Sequence, residues 1–195
     1  KGISVVNLAD PTNPTEVGRI DGATSTWRDL KTWDDHAYVT TDNGIGEDGL
    51  TVIDLSDLPN NVDYFNWKPV FGEDTLFTCH NLFIDEKGWC YLSGCNINEG
   101  GIVFIDVFSD PGNPQFGGFG NPIYSHDVYA KSDKMYTSEI GEGHFGVYDV
   151  SDKSNPTLLA IQQTPFDFCH NTWLSDDERY LFTTDEKANG PTAAY

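Results

Sequence analysis

Basic residues are scarce in this sequence: 11 Lys and Arg stand against 31 Asp and Glu, a formal charge of −20. Nucleic-acid backbones are bound largely through Lys and Arg, so this balance argues against nucleic acid and against anionic membranes. It favours solubility in a salty or extracellular setting and leaves room for cations or basic partners. Long apolar runs are missing too, and nothing approaches the roughly 18 residues a membrane helix needs. Cysteine is limited to four residues in 195, too few to be the scaffold, and Cys90 and Cys95 lack the paired spacing of a zinc site. Helical periodicity is absent, because Gly and Pro interrupt every window in which it begins. Neither a Gly-x-Ser-x-Gly elbow nor a His-Glu-x-x-His helix occurs. No signal peptide is visible, but Lys1-Gly2-Ile3-Ser4-Val5-Val6 reads as the middle of a strand and Asn189-Gly190-Pro191 as a turn just before the end. Residues 1–195 therefore read as one domain cut at both ends, and the missing leader is silent on export.

What is present is repetition. Thr78-Cys79-His80-Asn81, Ser125-His126-Asp127 and Phe168-Cys169-His170-Asn171 each precede a short apolar run. Thr26-Trp27-Arg28-Asp29 reads as a further copy with Asp in the histidine's place. From Asp29 to His80, His126 and His170 the steps are 51, 46 and 44 residues. Each copy opens a hairpin whose second arm ends on a polar residue: Asp42, Cys95, Glu139, or Asp185 beside Glu186. A second motif alternates with the first. Gly-Leu-Thr-Val-Ile-Asp-Leu-Ser-Asp at 49–57 has counterparts at 101–107 and 146–152, each a β-branched and aromatic run bounded by Gly and Pro. The Asn-Pro pairs that follow start extended segments such as 15–20 and 157–161, suited to outer edges where proline is tolerated.

Hydrophobic residues at 38% supply a core. Four short antiparallel strands recurring every 43 to 52 residues predict an all-β fold, a β-propeller. About four repeats are visible, beginning near Asp29, His80, His126 and His170. Propellers close with roughly four to eight blades, so a piece of a larger ring is expected.

In a propeller the first strand of each blade is innermost, and the second runs back beside it. The residues that open the first strand and close the second then share one rim. That reading places Asp29, His80, His126 and His170 with Asp42, Glu139, Asp185 and Glu186 as a candidate metal site. Imidazole and carboxylate suit zinc or manganese, and carboxylates alone suit calcium. The competing reading makes each His a structural anchor bonded to a neighbouring acid or backbone group. A fold by itself does not decide between them. No catalytic residue is assigned. Cys79 falls almost opposite Cys95, which leaves open a disulfide or two reduced, buried thiols.

The remaining candidates are weaker. Asp54, Asp106 and Asp149 read as turn formers, and Asp34-Asp35 and Asp176-Asp177-Glu178 as solvated hairpin turns. The glycine-rich stretch 43–49 precedes no helix and is no phosphate cradle. His36 and His144 break the repeat and read as surface residues. Trp27, Trp33, Trp67, Trp89 and Trp173 read as packing between blades, with Trp27 and Trp173 flanking the rim, where they could face a ligand.

The 49–57 and 145–156 segments resemble LVIVD repeats. With Trp27-Arg28-Asp29, Cys79-His80-Asn81, Ser125-His126-Asp127, Cys169-His170-Asn171 and Asp185-Glu186 in that order, the whole chain resembles the choice-of-anchor B family. That resemblance implies an exported bacterial protein at the cell surface or released from it and carries no implication of an enzymatic activity; protein partners at the cell surface are expected. A binding module with a cation at its rim is the expected function. A metal-dependent enzyme using that rim and a structural part of a surface or secretion assembly are the alternatives.

Overall fold

The computed structural model describes residues 1–43 and 48–195. Most of the glycine-rich stretch weighed above, 44–47, lies outside the described residues. Among the described residues the fold is all-β, with one 3₁₀ turn at Asn98–Gly100. The chain begins with a two-stranded ribbon, β1 (Gly2–Asn7) and β2 (Thr15–Asp21). The next sheet runs β3 (Leu30–Trp33), β4 (His36–Val39), β5 (Leu50–Asp54), β6 (Asp63–Trp67) in spatial order. A small hairpin, β7 (Val70–Phe71) and β8 (Asp74–Thr75), follows, which the sequence patterns do not announce. Then come β9 (Asn81–Ile84), β10 (Trp89–Ser93), β11 (Val103–Asp106), β12 (Gln115–Phe119), and β13 (Asp127–Lys131), β14 (Lys134–Glu139), β15 (His144–Asp149), β16 (Thr157–Gln163). Each of these sets forms a four-stranded antiparallel meander. The last sheet has β17 (Cys169–Leu174), β18 (Leu181–Asp185) and β19 (Thr192–Ala194). No sheet closes on itself among the described residues.

Side chains alternate across a strand, and here both faces of the middle strands are covered. In β10, Cys90 and Leu92 face the preceding sheet with Tyr38, Leu50 and Val52, while Tyr91 faces the following one with Val128 and Met135. In β11, Val103 and Ile105 take the first side and Phe104 the second. A third layer joins Tyr129 and Phe145 to Cys169, Leu174 and Leu181, and a fourth seats Ile20 of β2 on Ala37, Val39 and Ile53. Burial on both faces is why these strands read as unbroken apolar runs. The outer strands are different: all seven residues of β16 are exposed.

The turns behave as their residues demand. Asp54 Oδ1 accepts from the Ser56 amide (2.8 Å), Asp106 Oδ1 from Phe108 (2.9 Å) and Asp149 Oδ1 from Ser151 (2.9 Å). Hydrogen bonds from Ser56 and Ser151 hold Asp54 and Asp149 below the usual carboxylate range. Ser132 and Asp133 adopt positive φ in the two-residue β13–β14 turn, the twist such hairpins favour. The tryptophans divide: Trp33 is partly buried and lies against Phe108, whereas Trp27 (61%) and Trp173 (57%) are both exposed, Trp173 with one face against Tyr129 and Phe83.

This layering sets a contrast in stability. Leu92 is fully buried, whereas Leu159 on β16 is half exposed. Leu92→Ala should cost about 2–5 kcal/mol in urea unfolding, and Leu159→Ala no more than about 0.5 kcal/mol.

Candidate functional site

The first strands β3, β9, β13 and β17 lie side by side in that order. Equivalent residues at their starts are therefore neighbours, and the ladders say which residues are equivalent. Leu30 pairs with Val39, Leu82 with Leu92, Val128 with Thr137 and Thr172 with Thr183. One step earlier, Asn81, Asp127 and Asn171 face Ser93, Ser138 and Thr184, and the Asp29 carbonyl accepts from the Thr40 amide (3.0 Å). Asp29 thus belongs with the Asn and Asp residues, and Arg28 holds the position of His80, His126 and His170. The histidine's place given to Asp29 from sequence is off by one residue. Matching Leu30 to Leu82 in the sequence would have found this. The second strands split the acids in the same way. Glu139 and Asp185 share one position, while Asp42 and Glu186 share the next, with Cys95 and Ile140.

The three histidines form a stack, with ring centroids 4.2 Å apart for His80 and His126 and 4.4 Å for His126 and His170. Asp42 Oδ2 lies 2.7 Å from His80 Nδ1. His126 Nδ1 lies 3.1 Å from the His170 carbonyl oxygen, so this nitrogen carries the proton and Nε2 the lone pair. Burial, with His80 and His170 as neighbours, pushes His126 down to about 4, so it is neutral at pH 7. Ligand atoms of His126, His170 and the exposed Glu186 all lie within 4.8 Å of one another. Arg28 turns away from the stack, donating to the carbonyls of Ala23 and Ser25 and lying 3.8 Å from Asp48. Asp29 is held by Lys31 Nζ at 2.5 Å.

Glu139 and Asp185 point elsewhere. Glu139 is fully buried, and its Oε1 accepts from Asn121 Nδ2 (2.9 Å), Thr137 Oγ1 (2.8 Å) and the Tyr148 hydroxyl (2.8 Å). Its Oε2 lies 2.6 Å from His144 Nε2. His144, read from sequence as a surface residue, is therefore partly buried and engaged. Asp185 Oδ1 accepts from Thr164 Oγ1 (2.5 Å), and Oδ2 from the Phe166 amide (2.7 Å). Both carboxylates grip the segment that enters their own sheet from the one before. Asn96 does the same in the second sheet, its Oδ1 accepting from the Phe77 (2.8 Å) and Thr78 (3.1 Å) amides. Asn96 and Asn121 escaped the sequence reading because only the crossing segments give them a role, and His144 because its partner Glu139 faces it across the β14–β15 pair.

Two further placements bear on the rim. Cys79 and Cys95, flanking His80 and the end of β10, are joined as a disulfide (S–S 2.11 Å), while Cys90 and Cys169 are free and buried. His36, the other presumed surface histidine, is partly buried and lines a cavity of about 240 Å³ with Tyr64 and Phe65.

With this geometry in place, the comparisons with known proteins are informative. Residues 140–164 match the LVIVD repeat. They cover β15 and β16. No curated protein matches the chain in sequence. Among solved structures, a Lactobacillus plantarum protein superposes with TM-score 0.65 at 13% identity, over 100% of this chain and 63% of its own. A candidate 6-phosphogluconolactonase of Bacteroides fragilis superposes with TM-score 0.59, also at 13% identity, over 92% of this chain and 56% of its own. A counterpart from Bacteroides uniformis gives TM-score 0.51 at 8% identity, covering 93% and 70%. At such identities the likeness concerns the fold, which is propeller-like. This chain spans 56% and 63% of the length of the first two.

Beside the stack, Asp127 is the uncomfortable member of its row. Burial raises its carboxyl to about 6, although the Val128 amide donates to it. Asn81 and Asn171 fill the same position without charge, and Asn81 Oδ1 accepts from the Leu82 amide as Asp127 does from Val128. Asp127→Asn should keep that bond and raise stability at pH 7 by about 1–2 kcal/mol. The signs are opposite for the two groups. The raised Asp127 value makes stability fall as pH climbs from its unfolded 3.8 to about 6, while the lowered His126 value makes stability rise between about 4 and 6.5. Removing the first should leave a steeper rise with pH across that window, measurable by thermal unfolding from pH 4 to 7.

Proposed function

We propose that this chain is part of a β-propeller of the choice-of-anchor B type, each face-stacked sheet being a blade of a larger ring. It acts as an exported surface module that binds protein partners and carries a divalent cation at the histidine rim. The LVIVD match and the propeller-like neighbours support the module. The disulfide suits an oxidising compartment, and the −20 charge favours basic partners. The observation that carries the cation is the His126–His170–Glu186 cluster, three donors within 4.8 Å where the first strands begin. A metal-dependent enzyme is the second reading, because three protein ligands leave room for water or substrate on an ion.

Elemental analysis of the protein isolated without chelator should find one tightly held divalent ion per chain, and restoring that ion after chelation should raise the melting temperature. A protein with neither property ends both readings of the rim. Export has its own check. In denaturant without reductant, two of the four thiols should react with an alkylating agent, and all four after reduction. Four reactive thiols at the outset would remove the disulfide and its support for export.

A further inference from the structure

The donor set at the rim separates one class of cation from the others. Calcium takes six to eight oxygen ligands at about 2.3–2.6 Å. Zinc takes about four, with imidazole nitrogen and carboxylate oxygen both suitable. A calcium site here would need several carboxylates turned toward one point, and the fold has already engaged most of them. Glu139 is fully buried and bonded to Asn121, Thr137, Tyr148 and His144. Asp185 is buried and bonded to Thr164 and Phe166. Asp42 lies on His80 Nδ1 and Asp29 on Lys31. Within the ligand cluster the carboxylate is that of Glu186, and the other two donors are imidazoles.

We infer, on the basis of the cation-binding reading above, that the rim selects a zinc-class dication over calcium, with His126, His170 and Glu186 as its ligands. Zinc in this sense includes its spectroscopic surrogate cobalt(II). Two features beyond residue type support the choice. Nδ1 of His126 donates to the His170 carbonyl at 3.1 Å, which fixes the tautomer and leaves Nε2 to accept a metal. A backbone carbonyl on the distal nitrogen is a recurrent way of orienting a ligating histidine. His80, held by Asp42 at 2.7 Å, stacks on the same ring at 4.2 Å and restricts where it can swing. The second feature is reach. Donors on one zinc ion lie at most about 4 Å apart, while the cluster spreads over 4.8 Å. Glu186 is exposed, so its side chain can supply the short closing movement without disturbing the core.

The test uses the full chain, washed with chelator and titrated by calorimetry with Zn²⁺ and, separately, with Ca²⁺. One Zn²⁺ should bind per chain at least 100-fold more tightly than Ca²⁺. His126→Ala and His170→Ala should each weaken Zn²⁺ by at least tenfold and Glu186→Gln by a similar factor, while His36→Gln leaves it unchanged. Cobalt(II) should give visible absorption that both histidine variants abolish. Circular dichroism on each variant identifies any that fails to fold, and Glu186→Gln, at an exposed position, keeps the test open if a histidine variant does. Calcium bound as tightly as zinc, through Glu186, would overturn the selectivity and leave the cation-binding rim standing. Binding of neither ion overturns both. Zinc binding undiminished in the folded variants overturns this site.

Discussion

The inner sheets of this protein bury both of their faces, and nearly everything else follows from that. A pleated strand sends alternate side chains to opposite sides, so a middle strand such as β10 commits Leu92 to one interlayer core and Tyr91 to the next. Sheets constrained in this way stack face to face, and their first strands come to lie side by side. The cost appears at the outside. The chain between sheets must leave one outer edge and return to the start of the next inner strand, carrying backbone polar groups that need partners.

Glu139, Asp185 and Asn96 answer that need. Each stands at or just beyond the end of a second strand and binds the segment entering its own sheet. A buried carboxylate is tolerable only with its oxygens satisfied, and Glu139 has four donors around it. The consequence reaches the rim. By turning two acids inward, the fold leaves the histidine stack less negative and richer in nitrogen donors than a count of nearby acids suggests. Chemistry at the strand starts is thus shaped by how the crossings are fastened.

Much of the fold was legible in the sequence because its signals are local. Strand pattern, hairpin turns and the Asp-initiated turns at Asp54, Asp106 and Asp149 depend on residues within a few positions of one another. The histidine position was legible too, because His80, His126 and His170 recur in near-identical surroundings. The partition of the acids was not. Glu139 and Glu186 look interchangeable in sequence, yet they sit one register position apart, and a shift of one residue turns a side chain to the other face. His144 read as a surface residue because nothing local reveals that Glu139, five residues earlier, will face it across the β14–β15 pair.

The sequence by itself determined an all-β chain of repeated hairpins and meanders, a strongly acidic surface and a histidine at the start of three first strands. Those follow from side-chain periodicity, composition and spacing, which need no partner to be expressed. Tertiary structure alone decided that successive imidazoles come to lie 4.2 and 4.4 Å apart, that Asp29 stands beside them in register with Asn81, and that Glu186 faces the cluster while Glu139 and Asp185 fasten the crossings. The reason is physical. Inter-strand hydrogen bonds set the register, and burial decides which oxygens must find a donor inside the protein and which can remain in water.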